Sequence, residues 1–498
     1  MPDYLIAIDQ GTTSSRAIVY NRHLEVVAQA QQEVALHYPK PGWVEQDPEQ
    51  LWQSVVSCIR LALKQAALGA NDIAALGITN QRETTLLWHK DTGSCVYPAI
   101  VWQDRRSGNF CQQLKASGQE PLLQQKTGLL ADPYFSATKL CWLLDNVTGA
   151  RQQAQRGELC FGTVDSYLLW RLTGGKEHTT DASNASRTLL FNLQRQGWDD
   201  ELLTLFDIPP QLLPKIQDNA SLFGYTATEL FGTAIPVLSM IGDQQAALLG
   251  QACTEPGMSK STYGTGCFTV ANTGSTLLTS QHQLLSTLAW QLNGKPTFAL
   301  EGSIFMAGAT VQWLRDKLGV IQKASETEQL ASQCQYQQSE LLIPAFTGLG
   351  APYWQPEVKA ALLGMTRDSG ASQLCAAALL SVAYQSLDLL QAMQSDGIHI
   401  NQLRVDGGMT VNNWFLQALA DVCQLEVTPA ANSDATALGA AFLAALQLNW
   451  FSRLDDIKQV WRAGPRFSPK LSHINAQQLH QRWQRAVTSL LALDLAIH

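Results

Sequence analysis

Three glycine-rich turns, two strand-end aspartates and one Arg-Glu pair carry the residue types that can do chemistry in this sequence. In I-A-I-D-Q-G-T-T-S-S-R, residues 6 to 16, an apolar run stops on Asp9, reverses at Gly11 and returns from Arg16. Thr12, Thr13, Ser14 and Ser15 put hydroxyls and N–H groups around that turn. Such a mouth can cradle a phosphate and, through water, the Mg²⁺ that accompanies it. The same residue types furnish any polar hairpin, so both readings stand on this stretch alone. A second strand-turn-strand, S-T-Y-G-T-G-C-F-T-V at 261–270, turns on Gly264-Thr265-Gly266. A third turn closes L-R-V-D-G-G-M-T at 403–410, and a helix begins near Asn412. Arg82 and Glu83 follow a strand at Ile73–Thr79 and on their own read as a surface ion pair. I-G-D-Q-Q-A-A-L-L reads as strand, aspartate, helix, which makes Asp243 a helix N-cap, a site carboxylate, or both.

The elements that must position these residues alternate between strand-like and helix-like segments, the pattern of an α/β protein. At 498 residues the chain is too long for one core. Two glycine hairpins half a chain apart suggest a duplicated α/β fold with phosphates held between the lobes. The boundary is placed near Gly250, giving domains at 1–250 and 251–498. The first helix is marked by Asp47 as N-cap, Pro48 at the first helical position and Gln50 to close a capping box. Leu51, Trp52, Val55, Val56, Ile59 and Leu63 repeat on its inner face. P-loop and dinucleotide-binding readings fail, because neither G-x-x-x-x-G-K-[ST] nor G-x-G-x-x-G is present.

A net charge of −8 argues against nucleic-acid binding. The N-terminal segment carries an acid where a signal peptide carries basic residues, so no leader is expected. The longest uncharged stretch, Ala435 to Ser452, contains Thr436, Gln447 and Asn449 and is expected to be a buried helix, not a membrane span. Ten cysteines without a C-x-x-C pair and nine unclustered histidines point to a reducing compartment and no zinc or redox site. A cytoplasmic protein without membrane insertion is expected.

Taken together, Asp9 with Gly11-Thr12-Thr13, Gly264-Thr265-Gly266 and V-D-G-G-M-T resemble the nucleotide-contacting segments of the actin/hexokinase/Hsp70 ATPase superfamily. Y-F-S-A-T-K-L-C-W-L-L-D-N (134–146) and A-L-L-G-M-T-R through Leu380 are similar to the two patterns of the FGGY carbohydrate kinases. Leu380 stands where the second pattern has an acid or Gln, and is expected to be a packing position on a helix. Y-P-K-P-G-W-V-E-Q-D-P, G-I-T-N-Q-R-E-T-T, V-W-Q-D-R-R, G-D-Q-Q-A-A-L-L-G-Q and P-A-F-T-G-L-G-A-P-Y-W narrow the resemblance to the branch that phosphorylates glycerol. The implied fold is α/β, with duplicated actin-like (ribonuclease H-like) ATPase domains and the active site in the cleft between them.

The resemblance implies ATP and Mg²⁺ as cofactors and glycerol as the substrate, in a homo-oligomer, dimer or tetramer. In that branch Arg82, Glu83, Tyr134, Asp243 and Gln244 match residues that hold the polyol hydroxyls, with Trp102 and Phe268 as an apolar wall. Asp243 matches the general base. Asp9 matches the metal side, through water. Thr12, Thr13, Ser14, Arg16, Thr265, Gly308, Gln312, Gly408 and Asn412 match nucleotide contacts. An FGGY kinase for another polyol or a pentulose is the nearest rival, and a chaperone-like ATPase of the superfamily the more distant one. Relatives controlled by fructose 1,6-bisphosphate carry a G-G-K-G-G-T-R-I-P loop. Here E-L-F-G-T-A-I-P, 229–236, is shorter, has Ala234 in place of arginine and lacks the lysine. Glu229 replaces the histidine phosphorylated in other relatives, and Asn475 the glutamate that shares a zinc with the glucose-transport regulator. Insensitivity to fructose 1,6-bisphosphate and to both phosphotransferase-system controls is therefore expected.

Overall fold

The computed structural model describes residues 2–336, 340–355, 357–431 and 434–493. The first phosphate-like hairpin forms as expected. Strand β1 (Tyr4–Gln10) pairs antiparallel with β2 (Ser14–Asn21), with Asp9 opposite Arg16. β3 (Val26–Glu33) extends this meander on the far side of β2. Helix α1 (Pro48–Ala66) starts where its proline predicts, and Asp47 caps it by accepting from the Glu49 N–H. Gln50 does not close a capping box. Its side-chain oxygen instead accepts from the Ala35 N–H at 3.0 Å and anchors the chain leaving β3. The apolar face of α1 packs onto β2 and β3, burying Leu51, Val55 and Ile59.

Strand β4 (Ile73–Asn80) lies parallel to β1 and is buried along nearly its whole length, which is why it reads as an apolar run. β5 (Ala220–Tyr225) and β6 (Pro236–Gly242) complete a six-stranded sheet ordered β5-β6-β4-β1-β2-β3. Helix α2 (Asp243–Gly250) follows β6 directly.

The second half repeats this plan. β7 (Ser259–Tyr263) and β8 (Cys267–Gly274) form the Gly264-Thr265-Gly266 hairpin. β9 (Leu285–Leu292) and β10 (Lys295–Ile304) continue the antiparallel side. β11 (Gln402–Asp406) joins β7 in parallel and β12 (Glu426–Pro429) joins β11, giving the order β9-β10-β8-β7-β11-β12. In each sheet an antiparallel set, three strands in the first and four in the second, is joined to a parallel strand at the strand that opens the glycine hairpin.

Four helices of the second half bear on the site and its support: α3 (Gly308–Asp316), α4 (Ala371–Ser395), α5 (Asn413–Cys423) and α6 (Ala435–Gln447). α4 carries a buried Leu380 and is long and apolar enough to cross a membrane, but most of it is buried within the fold. The uncharged stretch from Ala435 is a buried helix, as its length suggests. α6 packs against α2 and against β1, β4 and β6 of the first sheet, so Ala437, Leu438 and Ala441 share a core with Leu5, Ala7 and Ile241. The two halves are thus joined by an α2–α6 contact.

Candidate active site

The polyol-side candidates converge at the C-terminal end of β4. Arg82 and Glu83 are buried, and their ion pair is a core feature, not a surface one. Glu83 adopts φ +61°, a left-handed conformation that a non-glycine residue holds only under constraint. The constraint is visible: the Glu83 carbonyl accepts from Thr85 Oγ1 at 2.9 Å and Ser136 Oγ at 3.1 Å, and the Thr84 N–H bonds the Arg82 carbonyl at 2.7 Å.

Arg82 directs Nε at Asp243 Oδ1, 3.2 Å away, and its Nη2 donates to the Tyr134 hydroxyl at 3.3 Å. A Cβ on Gly242 would lie 2.8 Å from the Arg82 side chain, so a glycine is required for this approach. Asp243 is the first residue of α2, with Gly242 at the cap position, so it is not the N-cap; its Oδ1 accepts from the adjacent Gln244 N–H. Burial raises its proton affinity, and Arg82 and Lys260 oppose that rise. Some 28% of its side chain remains exposed, and the bonds to Arg82 and Gln244 both fall on Oδ1.

Trp102, Tyr134 and Phe268 form one aromatic wall. Trp102 meets Tyr134 edge-on at 5.6 Å between centroids and Phe268 at 5.9 Å. The Trp102 indole N–H donates to Thr12 Oγ1 at 2.9 Å, which ties this wall to the first hairpin. Gln244 is fixed by Lys260 Nζ, which also donates to Thr262 Oγ1 at 2.9 Å.

Among the residues expected to meet nucleotide, Gly11 closes its turn by donating to the Ser14 carbonyl at 2.9 Å, leaving Thr12, Thr13 and Ser14 at the mouth. Asp9 sits at its base. Burial, with Asp243 and Asp434 adding to it and Arg16 opposing, raises its pKa to about 6. Arg16 forms an ion pair with Asp434, just ahead of α6. In the second hairpin the Thr265 carbonyl accepts from the N–H groups of Ala307 and Ala309, both at 3.0 Å. Gly308 donates to the Gly264 carbonyl, and a Cβ there would lie 2.6 Å from that oxygen. Thr265 and Gly308 are thereby brought together at the start of α3, with Gln312 exposed one turn on. Gly407 turns with φ +95° against the Tyr263 backbone, while Gly408 faces open space. Asn412 is committed internally: its side chain caps α5 by accepting from the Phe415 N–H and donates to Thr327 Oγ1.

Two residues of this centre escape a reading by motif. Glu301, in the middle of β10, binds Arg82 through both carboxylate oxygens at 2.5 and 3.0 Å, and accepts from Arg187 at 3.0 Å. Arg187 also donates Nε to Glu83 at 2.6 Å. Glu301 would be raised by burial, but the two guanidiniums hold it down to about 2. The available signal was a lone acid inside the apolar strand F-A-L-E-G-S-I, since an unpaired charge does not occupy a buried strand.

Known proteins bear on this geometry. The model of the FGGY family of carbohydrate kinases matches in both parts, its N-terminal domain over residues 4–250 and its C-terminal domain over 260–448. The chain is 55% identical to glycerol kinase 1 of Pseudomonas aeruginosa, across 98% of this chain and 99% of that one. It is 53% identical to the glycerol kinase of Bradyrhizobium diazoefficiens, across 99% of each. Among solved structures, Plasmodium falciparum glycerol kinase with ADP superposes with a TM-score of 0.93 at 34% identity, across 99% of each chain. A gluconate kinase from Lactobacillus acidophilus, at 21% identity and a TM-score of 0.89, shares the fold.

Proposed function

The chain belongs to the FGGY family of carbohydrate kinases, and from that premise we propose that it transfers the γ-phosphoryl group of ATP to a terminal hydroxyl of glycerol, forming sn-glycerol 3-phosphate. One observation carries the choice of substrate: Arg82 draws Glu83 and Asp243 together and bonds Tyr134, which belongs to the aromatic group of Trp102, Tyr134 and Phe268. Three hydroxyls on a three-carbon stem call for that combination of convergent polar groups and an apolar face.

In this reading Arg82 donates to the polyol, Glu83 and Gln244 accept from it, and the rings exclude water around the carbons. Asp243 takes the proton of the attacking hydroxyl on its cleft-facing side, while Arg82 holds the other side. Phosphoryl transfer otherwise depends on alignment and charge neutralisation. The two hairpins supply the alignment, with Thr12, Thr13, Ser14 and Thr265 at the phosphates, Arg16 beside them, and Gly308, Gln312, Gly408 and Asn412 toward the nucleoside. Because the Asn412 side chain is engaged within the fold, its part in nucleotide contact falls to its backbone or to the surface it shapes.

Mg²⁺ fits beside Asp9. Among the described residues no group of three or more His, Cys, Asp or Glu could hold a metal directly. A half-buried carboxyl with other carboxylates, Asp243 and Asp434, acting on it is suited to a hydrated cation brought by the nucleotide. The ion would neutralise charge on the phosphates.

The test is an ADP-coupled assay with glycerol, with pentuloses and with no acceptor. Glycerol-dependent turnover is expected. Preference for a pentulose would move the chain to another branch, and acceptor-independent hydrolysis alone would favour a non-kinase ATPase.

We further propose that fructose 1,6-bisphosphate does not inhibit the enzyme. Residues 228–231 form a short helix ending at Gly232, and Ala234 is exposed with no cation in the loop. Activity with and without millimolar fructose 1,6-bisphosphate should agree, and strong inhibition would contradict the reading.

A further inference from the structure

The centre of the molecule holds a chain of alternating charges that crosses between the sheets: Glu83, Arg187, Glu301, Arg82 and Asp243. Arg82 and Glu83 lie just past a strand of the first sheet, whereas Glu301 lies in the second. Glu301 is wholly buried, so it acts only through its neighbours. Its two oxygens grip Arg82 as a fork, the geometry that fixes a guanidinium plane. With that plane set, Nε faces Asp243 and Nη2 faces Tyr134. Arg187 completes the frame by joining Glu301 to Glu83, and its guanidinium carbon lies 5.6 Å from the Tyr134 ring centroid and 5.4 Å from that of Phe135. Without Glu301, Arg187 would keep only Glu83, and Arg82 would keep Asp243 and the longer contact with Glu83 but lose the fork that fixes its plane, so the mutual repulsion of two buried guanidiniums would turn Arg82 away from its present aim.

We propose that Glu301, working with Arg187, is a positioning residue for the polyol: it reaches from the second lobe to fix Arg82 and Glu83 in the first, so that the hydroxyl grip is complete only with strand β10 in place. This rests on the glycerol kinase reading and deepens it. The role predicts a selective defect. Groups that contact nucleotide do not bond to Glu301, so the loss should fall on the polyol.

The experiment is steady-state kinetics of Glu301→Gln and Arg187→Lys, with melting temperature as a check on folding. Glu301→Gln keeps shape and one acceptor but removes the charge; Arg187→Lys keeps the charge but replaces the planar fork, whose Nε and Nη2 reach Glu83 and Glu301 separately, with one compact ammonium. Each should raise the glycerol KM by about 10- to 100-fold, the loss expected for one charge-assisted hydrogen bond. The ATP KM should be unchanged, and Glu301→Asp, which restores the charge, should recover part of the glycerol affinity. Wild-type glycerol KM in the variants, or equal losses for glycerol and ATP, would overturn the positioning role. If Glu301→Gln does not fold, Arg187→Lys decides; if neither folds, the role is structural and the proposal falls. Wild-type turnover of glycerol in the same assay is the separate check: its absence sinks the kinase reading itself, whereas normal wild-type turnover with unaltered variants sinks only the positioning role.

Discussion

Helices α2 and α6 touch backbone to backbone where four small residues meet, Ala246 and Gly250 on one and Ala435 and Gly439 on the other. A Cβ on Gly250 would lie 1.8 Å from the Ala435 carbonyl oxygen, and one on Gly439 would lie 2.0 Å from that of Ala246. Ordinary contact begins near 3.4 Å, so either alanine must drive the helices about 1.5 Å apart. Two effects oppose each other. Replacing a helical glycine with alanine favours the helix by about 1 kcal/mol. Overpacking a filled core costs about 1–3 kcal/mol, and the upper end applies where the obstacle is backbone that cannot rotate away. Packing should win, leaving Gly250→Ala and Gly439→Ala less stable by about 2 kcal/mol or more. Turnover should fall too, because α2 begins at Asp243 and α6 follows Asp434, the partner of Arg16. Urea denaturation of both variants measures the cost, with Gly197→Ala as control because nothing lies within 4 Å of its added carbon. The control should stay within about 0.5 kcal/mol of wild type. A Gly439→Ala protein as stable as wild type would refute the reasoning, since propensity alone would then govern the site.

His178 is held neutral: burial lowers its pKa to about 4 while its Nε2 bonds the Phe161 carbonyl at 2.8 Å. A folded-state pKa below the unfolded one gives stability that is present above pH 6.5 and lost as pH falls toward 4. His178→Gln, which can donate to the same carbonyl without titrating, should lose less stability between pH 6.5 and 4.5 in urea titrations; parallel losses in both proteins would count against it. Asp9→Ala should weaken Mg-ATP binding and spare glycerol, measured by separate calorimetric titrations. Collapse of glycerol affinity with Mg-ATP binding intact would place Asp9 in the other half of the site.

The parts of the fold and site legible in the sequence are those in which neighbours in the chain do the work. Asp9, Gly11 and Thr12 define a hairpin within a few residues, and Asp243 follows its strand and leads its helix directly. Arg82 and Glu83 were legible as a pair, but their burial was not, because it comes from Arg187 and Glu301, 104 and 219 residues away along the chain from Glu83 and Arg82 respectively. The same holds for α6: its apolar composition announced burial, yet its contact with the first sheet depends on residues more than 150 positions distant. Gln50 shows the reverse error, and Asn412, expected at the nucleotide, also caps its own helix. Short polar side chains serve caps, loop anchors and ligands alike, and only the folded surroundings choose among them.

The central claim is that Asp243 is the base that activates a glycerol hydroxyl held by Arg82 and Glu83. Asp243→Asn keeps the shape of the side chain and its contact with the Gln244 N–H while removing the proton acceptor. At saturating glycerol and ATP, kcat should fall by about 10²- to 10⁴-fold, the range for loss of a general base. Calorimetry on the same protein should still show glycerol binding. Near-normal turnover in a variant that binds glycerol would contradict the account.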